Sequence, residues 1–274
     1  MEKKLVMNTI IIFLITSVLS IYSAQSLIQD QIKATLINEN PEAIENSIGI
    51  ILWIIIFTGI LLLAFKKLPD YITYIALKVI ESIAIIAATT IILYPTNISF
   101  EIAIMIGAII VITKNIYKNS LIKNFVSVIA VAGTSAIIGV SIGTIPALTL
   151  MIILAIYDYI AVFKTKHMVE MAKKLSGKNL AFTYEIQGNE RKYELGTGDI
   201  VIPIVFAISV MHEAMLKNYA NPTYLAGIIL ISSIIGLIIT FEILTKQKKP
   251  LPALPIQVVC MIIVYLMIKT TELP

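Results

Sequence analysis

The chain has 274 residues, 58% of them hydrophobic and 14% charged, with a mean hydropathy of +0.92 and a net charge of +4. That composition excludes a soluble enzyme with a separate catalytic domain. It leaves one all-α polytopic membrane domain over 1–274, because an apolar helix of about 20 residues crosses the hydrocarbon core of a bilayer. The single cysteine, Cys260, excludes an intrachain disulfide, and His167 and His212 do not make up a zinc ligand set.

Nine apolar segments follow in chain order, near 5–28, 47–65, 71–94, 98–113, 125–143, 145–163, 195–216, 222–245 and 251–270. The first follows Met1-Glu-Lys-Lys4 like a secretory leader. It runs longer than a leader, however, and Tyr22 stands where cleavage after Ala24 would want a small residue, so an uncut span is expected. In the second, Trp53 is expected to face outward as an interfacial anchor. In the third, Lys78 and Glu81 lie three apart and are expected to pair. The fourth is short, and only Gly143-Thr-Ile-Pro146 separates the fifth from the sixth. Spans one to five (1–143) and six to nine (144–274, with the connection 164–194) form the two halves. In the eighth, Glu242 and Lys246 are four apart and are expected to pair.

The basic residues set the orientation. With the N-terminus inside, 17 of the 21 Lys and Arg fall in inside connections; only Lys33, Lys78, Lys217 and Lys269 do not. The first outside connection is acidic, with Asp30, Glu39, Glu42 and Glu45. Positive charge stays inside, so nine spans with N-in and C-out are expected. Within 164–194, Met168, Met171, Ala172 and Leu175 recur at helical spacing opposite lysines, as in a helix lying on a membrane surface. After Gly177, the residues Phe182, Tyr184 and Ile186 alternate with polar ones, and Gly188-Asn189 can turn the chain. A hairpin over 182–195 and an irregular basic loop fit this stretch equally.

Two acids sit in apolar surroundings, where a charge costs roughly 3 kcal/mol or more and tends to mark function. Asp158 lies in Ala155-Ile-Tyr-Asp-Tyr-Ile160, about 8–9 Å inside the span boundary at Lys164. Asp199 begins the seventh span at a similar depth. The two spans are antiparallel and joined by one connection, so the acids can meet. Close carboxylates share a proton: one can take a proton from water while the other donates to a carbonyl. Unrelated polar contacts, or an ion path through the bundle, fit the same placement.

Gly196 and Gly198 flank Thr197 just before Asp199 and let another backbone approach. Pro203 denies the carbonyl of Asp199 its helical partner. Pro250-Leu-Pro-Ala-Leu-Pro255 should be extended at the same level, an edge able to receive an unwound substrate; a helix with proline in its first turn is the plainer reading. Tyr157 and Tyr159 flank Asp158 on other helix faces. From these residues alone, a prepilin-peptidase-type protease, which also uses a Gly-x-Gly-Asp string, and a transporter with broken helices remain open.

Together, Tyr157-Asp158, Leu195-Gly-Thr-Gly-Asp199 and Pro252-Ala-Leu-Pro255 resemble the presenilin and signal-peptide-peptidase family of intramembrane aspartyl proteases. The resemblance covers the whole chain in architecture and about 145–270 in motifs. It implies a nine-helix presenilin-like fold, Asp158 and Asp199 as the catalytic pair, and Pro252, Ala253 and Leu254 as substrate-binding. Gly196, Thr197, Gly198 and Tyr157 join that substrate-binding set. Thr197 departs from the leucine many relatives carry there. The connection 164–194 lacks the long insert that presenilins cut on maturation, so an uncut single chain is expected. The implied partners are a transmembrane protein or peptide substrate and the lipid bilayer, with no nucleic acid, metal or cofactor; self-association is open. The expected location is a prokaryotic cell membrane, as a multi-pass integral protein.

Overall fold

The computed structural model describes residues 3–164, 179–188, 192–247 and 251–270. Nine α-helices run through them: α1 (Lys3–Gln29), α2 (Ile44–Lys67), α3 (Asp70–Leu93), α4 (Phe100–Ile116), α5 (Ser120–Ser141), α6 (Thr144–Phe163), α7 (Gly198–Leu216), α8 (Pro222–Gln247) and α9 (Leu254–Thr270). They correspond one to one with the nine apolar segments of the sequence. Seven are long and apolar enough to cross a membrane. The other two, α4 and α9, have 17 residues each, about 25 Å of helix. The protein is an integral, multi-pass membrane protein. Trp53, as expected, faces outward at 65% exposure, within an apolar surface that suits lipid.

The helices pack closely because α5 is built of small residues on its contact faces. It lies against α1, α3 and α7. A Cβ on Gly133 would fall 2.3 Å from the carbonyl oxygen of Ala88 on α3, and one on Gly139 would fall 2.7 Å from Ile208 on α7. Bundles in lipid gain their cohesion from such backbone approach. The core between α1, α5, α6, α7 and α9 is filled by Phe13, Val140, Leu150, Ile200, Phe206 and Met261, all essentially inaccessible. At the far side, Gly236 of α8 admits the backbone of Gln257 on α9, and Ser233 donates to the Gln257 side-chain oxygen at 2.8 Å.

The stretch before α7 forms an antiparallel hairpin of β1 (Thr183–Gln187) and β2 (Lys192–Gly196), pairing Thr183 with Gly196 and Gln187 with Lys192. The alternation seen in the sequence is therefore a hairpin, not an irregular loop. Tyr184 is buried, and its hydroxyl donates to the Ser127 carbonyl at 3.2 Å. Burial holds its phenol above the ordinary range, only partly offset by a hydrogen bond with Thr16. The outer edge of β1 is taken up by α5: Asn124 accepts from the Glu185 N–H at 2.8 Å and donates to the Glu185 carbonyl at 2.7 Å. Lys123 and Ser120 hold the Glu185 carboxylate at 2.9 and 2.6 Å. The surface helix expected over 166–176 lies outside the described residues, as does Asn189 at the turn.

One expected ion pair is corrected. Glu81 does not take Lys78; it takes Lys114, from the last turn of α4. Lys78 instead stands over the ring of Tyr74, 5.4 Å from its centre. A pair three residues apart on a helix contributes only a few tenths of a kcal/mol. A partner from another helix, shielded from water with Glu81, attracts it far more strongly. Lys114, assigned from sequence to a connection, is 1% exposed within α4. The pair Glu242–Lys246 forms as expected, at 2.9 Å on the surface of α8.

Candidate active site

Asp158 sits one and a half turns before the end of α6, with its side chain turned into the bundle. Its carboxylate accepts the backbone N–H of Leu254. This contact follows from the prolines. Residues 251–253 are not helical, α9 starts at Leu254, and Pro255 occupies the first turn. First-turn N–H groups have no helical partner, and Pro255 has no N–H at all. The N–H of Leu254 is therefore directed at an acceptor beyond the helix, and Asp158 supplies it. The extended stretch expected over 250–255 is cut short: among the described residues only 251–253 lie outside a helix, and Leu254 already belongs to α9.

The other oxygen environment is the reverse. Asp158 Oδ2 is buried and has no hydrogen-bond partner among the described residues. Leaving a buried carboxylate oxygen unsatisfied costs on the order of 1–3 kcal/mol or more. Folds keep such groups where chemistry needs them.

Asp199 lies in the first turn of α7. The ladder of the hairpin runs straight into that turn: Thr197 N–H donates to the Phe182 carbonyl at 3.1 Å, one step beyond the Thr183–Gly196 pair. The Thr197 carbonyl then accepts from Ile200 and Val201 at 3.1 and 3.0 Å. Asp199 is therefore held between a sheet and a helix, with the positive end of α7 beside it. Pro203 is accommodated inside α7. Asp199 is buried and lies near enough to Asp158 for the two charges to act on each other.

The two glycines differ. A Cβ on Gly196 would lie 3.3 Å from Asp199 Oδ2, so this glycine makes room for the carboxylate itself. A Cβ on Gly198 would meet nothing within 4 Å among the described residues. Pro252, Ala253 and Leu254 are buried beside Asp158, Tyr157 is half-buried, and Tyr159 points outward to stack on Phe163 at 5.0 Å. The structure thus brings Asp158, Asp199, Gly196, Thr197 and Leu254 to one locus. The sequence did not reveal the Leu254–Asp158 bond or the Phe182–Thr197 bonds. Three prolines beside a helix start were the only signal for the first. No group of three or more potential metal ligands occurs among the described residues.

The fold and this locus define a polytopic membrane protein with an acid pair inside its bundle. A family model described as signal-peptide peptidase, presenilin aspartyl protease matches residues 10–271. The chain belongs to that family of aspartyl proteases. Two solved structures of a presenilin family intramembrane aspartate protease, in space groups C222 and P2, share the fold. The first superposes with a TM-score of 0.73 at 18% identity, covering 97% of this chain and 99% of that one. The second gives 0.68 at 17% identity, covering 95% and 96%. No curated protein matches the chain.

Proposed function

We propose that the protein hydrolyses peptide bonds of helical substrates within the membrane, with water as nucleophile and Asp158 and Asp199 as a coupled acid and base. The observation that carries this reading is the pair itself. Two carboxylates act on each other inside an apolar bundle, one of them with a buried oxygen that no group among the described residues satisfies. Such a pair holds one proton between its members. The ionised member draws a proton from water as it attacks the peptide carbonyl, and the protonated member donates to the carbonyl oxygen.

A helical substrate hides its carbonyls in i to i+4 bonds and must be locally unwound. The residues suited to receive the extended segment are Pro252, Ala253 and Leu254, together with the edge of β2, since α5 occupies the edge of β1. Gly198, with open space beside it, suits close passage of the substrate backbone. The division of charge in the sequence favours N-in and C-out, with the hairpin end cytoplasmic. In a Cys260→Ser background, a cysteine at Lys173 should react only from the cytoplasmic face.

The test is cleavage of a reconstituted single-span peptide by purified protein, with fragments read by mass spectrometry. Asp158→Ala and Asp199→Ala should each insert and fold but yield no fragments. Cleavage by either variant overturns the assignment.

A further inference from the structure

The connection entering the hairpin is tied down residue by residue. Asn179 donates to the Lys114 carbonyl at 3.1 Å. Leu180 packs among Leu61, Phe65 and Leu77. The Ala181 N–H donates to Glu81, on the same oxygen that takes the Lys114 ammonium. The Phe182 carbonyl then accepts both the N–H and the hydroxyl of Thr197, each at 3.1 Å. Two residues later comes Asp199.

A buried ion pair is seldom the most stabilising filling for its site, and at membrane depth it is a default mark of function. Glu81 and Lys114 are 3% and 1% exposed and lie outside the acid pair. A charged acceptor holds a backbone N–H about twice as firmly as a neutral one. The need for firmness is visible next to it. A cavity of about 160 Å³ is bounded by Glu81, Ala181, Phe182, Thr197 and Val201, space into which Phe182 and Thr197 can sag if Ala181 is released.

We propose that Glu81, paired with Lys114, is a positioning residue for catalysis: through Ala181, Phe182 and the Thr197 hydroxyl it fixes the start of α7 and so the placement of Asp199. This rests on Asp199 being catalytic, and adds to that reading residues on α3 and α4 that touch neither substrate nor acid. Thr197 serves here through its side chain as well as its backbone.

The test uses the full-length, reconstituted protein and the single-span peptide. Glu81→Gln together with Lys114→Met removes the charges without leaving either one uncompensated. It should lower kcat about tenfold, as small misplacements do, with KM within twofold and the melting temperature close to that of the unaltered protein. Thr197→Val should give a similar loss of kcat, and Thr197→Ser should restore most of it. Adding Thr197→Val to the Glu81→Gln/Lys114→Met chain should cost little more, because one relay is cut twice. Independent structural roles would instead multiply to about a hundredfold. The inference is overturned by an unchanged kcat in the Glu81→Gln/Lys114→Met chain, by multiplying losses, or by losses that track the melting temperature. If that chain fails to fold, the Val and Ser variants of Thr197 decide: equal activity in both overturns it. Asp199→Asn separates the two readings. Cleavage by that variant removes Asp199 from the mechanism, whereas a dead Asp199→Asn beside a full-speed Glu81→Gln/Lys114→Met chain removes only the relay.

Discussion

Glu81 and Asp158 are both acids buried in the bundle, on either side of the central α5 and α7 pair, and their surroundings are opposites. Between α3 and α4, Glu81 is met by a lysine and a backbone N–H. Between α6 and α9, Asp158 receives the backbone N–H of Leu254, and its Oδ2 has no partner among the described residues. Burial alone therefore does not separate an acid that positions other groups from one proposed to do chemistry. The partners do: the α3–α4 side neutralises its charge, and the α6–α9 side leaves an acceptor over and sets a second acid against it.

Substitutions can break or sharpen this contrast, in order of size. Asp158→Ala or Asp199→Ala should reduce peptide cleavage about 10³-fold or more, with the melting temperature in detergent little changed; a large fall in stability would mark the substituted acid as structural instead. Lys114→Met alone should act the other way round. It strands Glu81 uncompensated, so stability should drop by about 3–5 kcal/mol, read by thermal unfolding, while the Glu81→Gln/Lys114→Met chain recovers most of it. Gly196→Ala should crowd Asp199 Oδ2 and lower kcat about tenfold, whereas Gly198→Ala, whose added carbon meets nothing within 4 Å among the described residues, should show its effect in KM. Smallest of all, Glu242→Gln on the exposed surface of α8 should leave both activity and melting temperature where they are, since exposed pairs contribute little.

How far the sequence reached depends on the range of the interaction. Helix after helix was legible because hydropathy acts over about 20 neighbouring residues. The edges shifted by a few residues: α5 begins at Ser120, not 125, because Asn119 caps it by accepting from Leu121 at 3.0 Å, and α7 begins at Gly198 because Leu195 and Gly196 belong to β2. Alternation in Phe182, Tyr184 and Ile186 was enough to suggest a strand but not what it rests on. Asn124 standing in for a third strand could not be read, because its amide could have faced anywhere. The same holds for Glu81, where the nearest cation in sequence was the wrong one. In the site, Asp158 and Asp199 stood out by polarity, while the bond from Leu254 depends on where α9 starts, and three prolines fix that only in space.

The length of α9 has a further consequence. At 17 residues it reaches about 25 Å, several ångströms short of an average hydrocarbon core of about 30 Å. A helix of that length is met by thinning of the lipid or by drawing flanking residues such as 251–253 towards the acyl region. Either response bears on Leu254, and so on the acid it touches. Cleavage is therefore expected to respond to acyl-chain length, with long-chain lipids loading the first turn of α9 and short-chain lipids relaxing it.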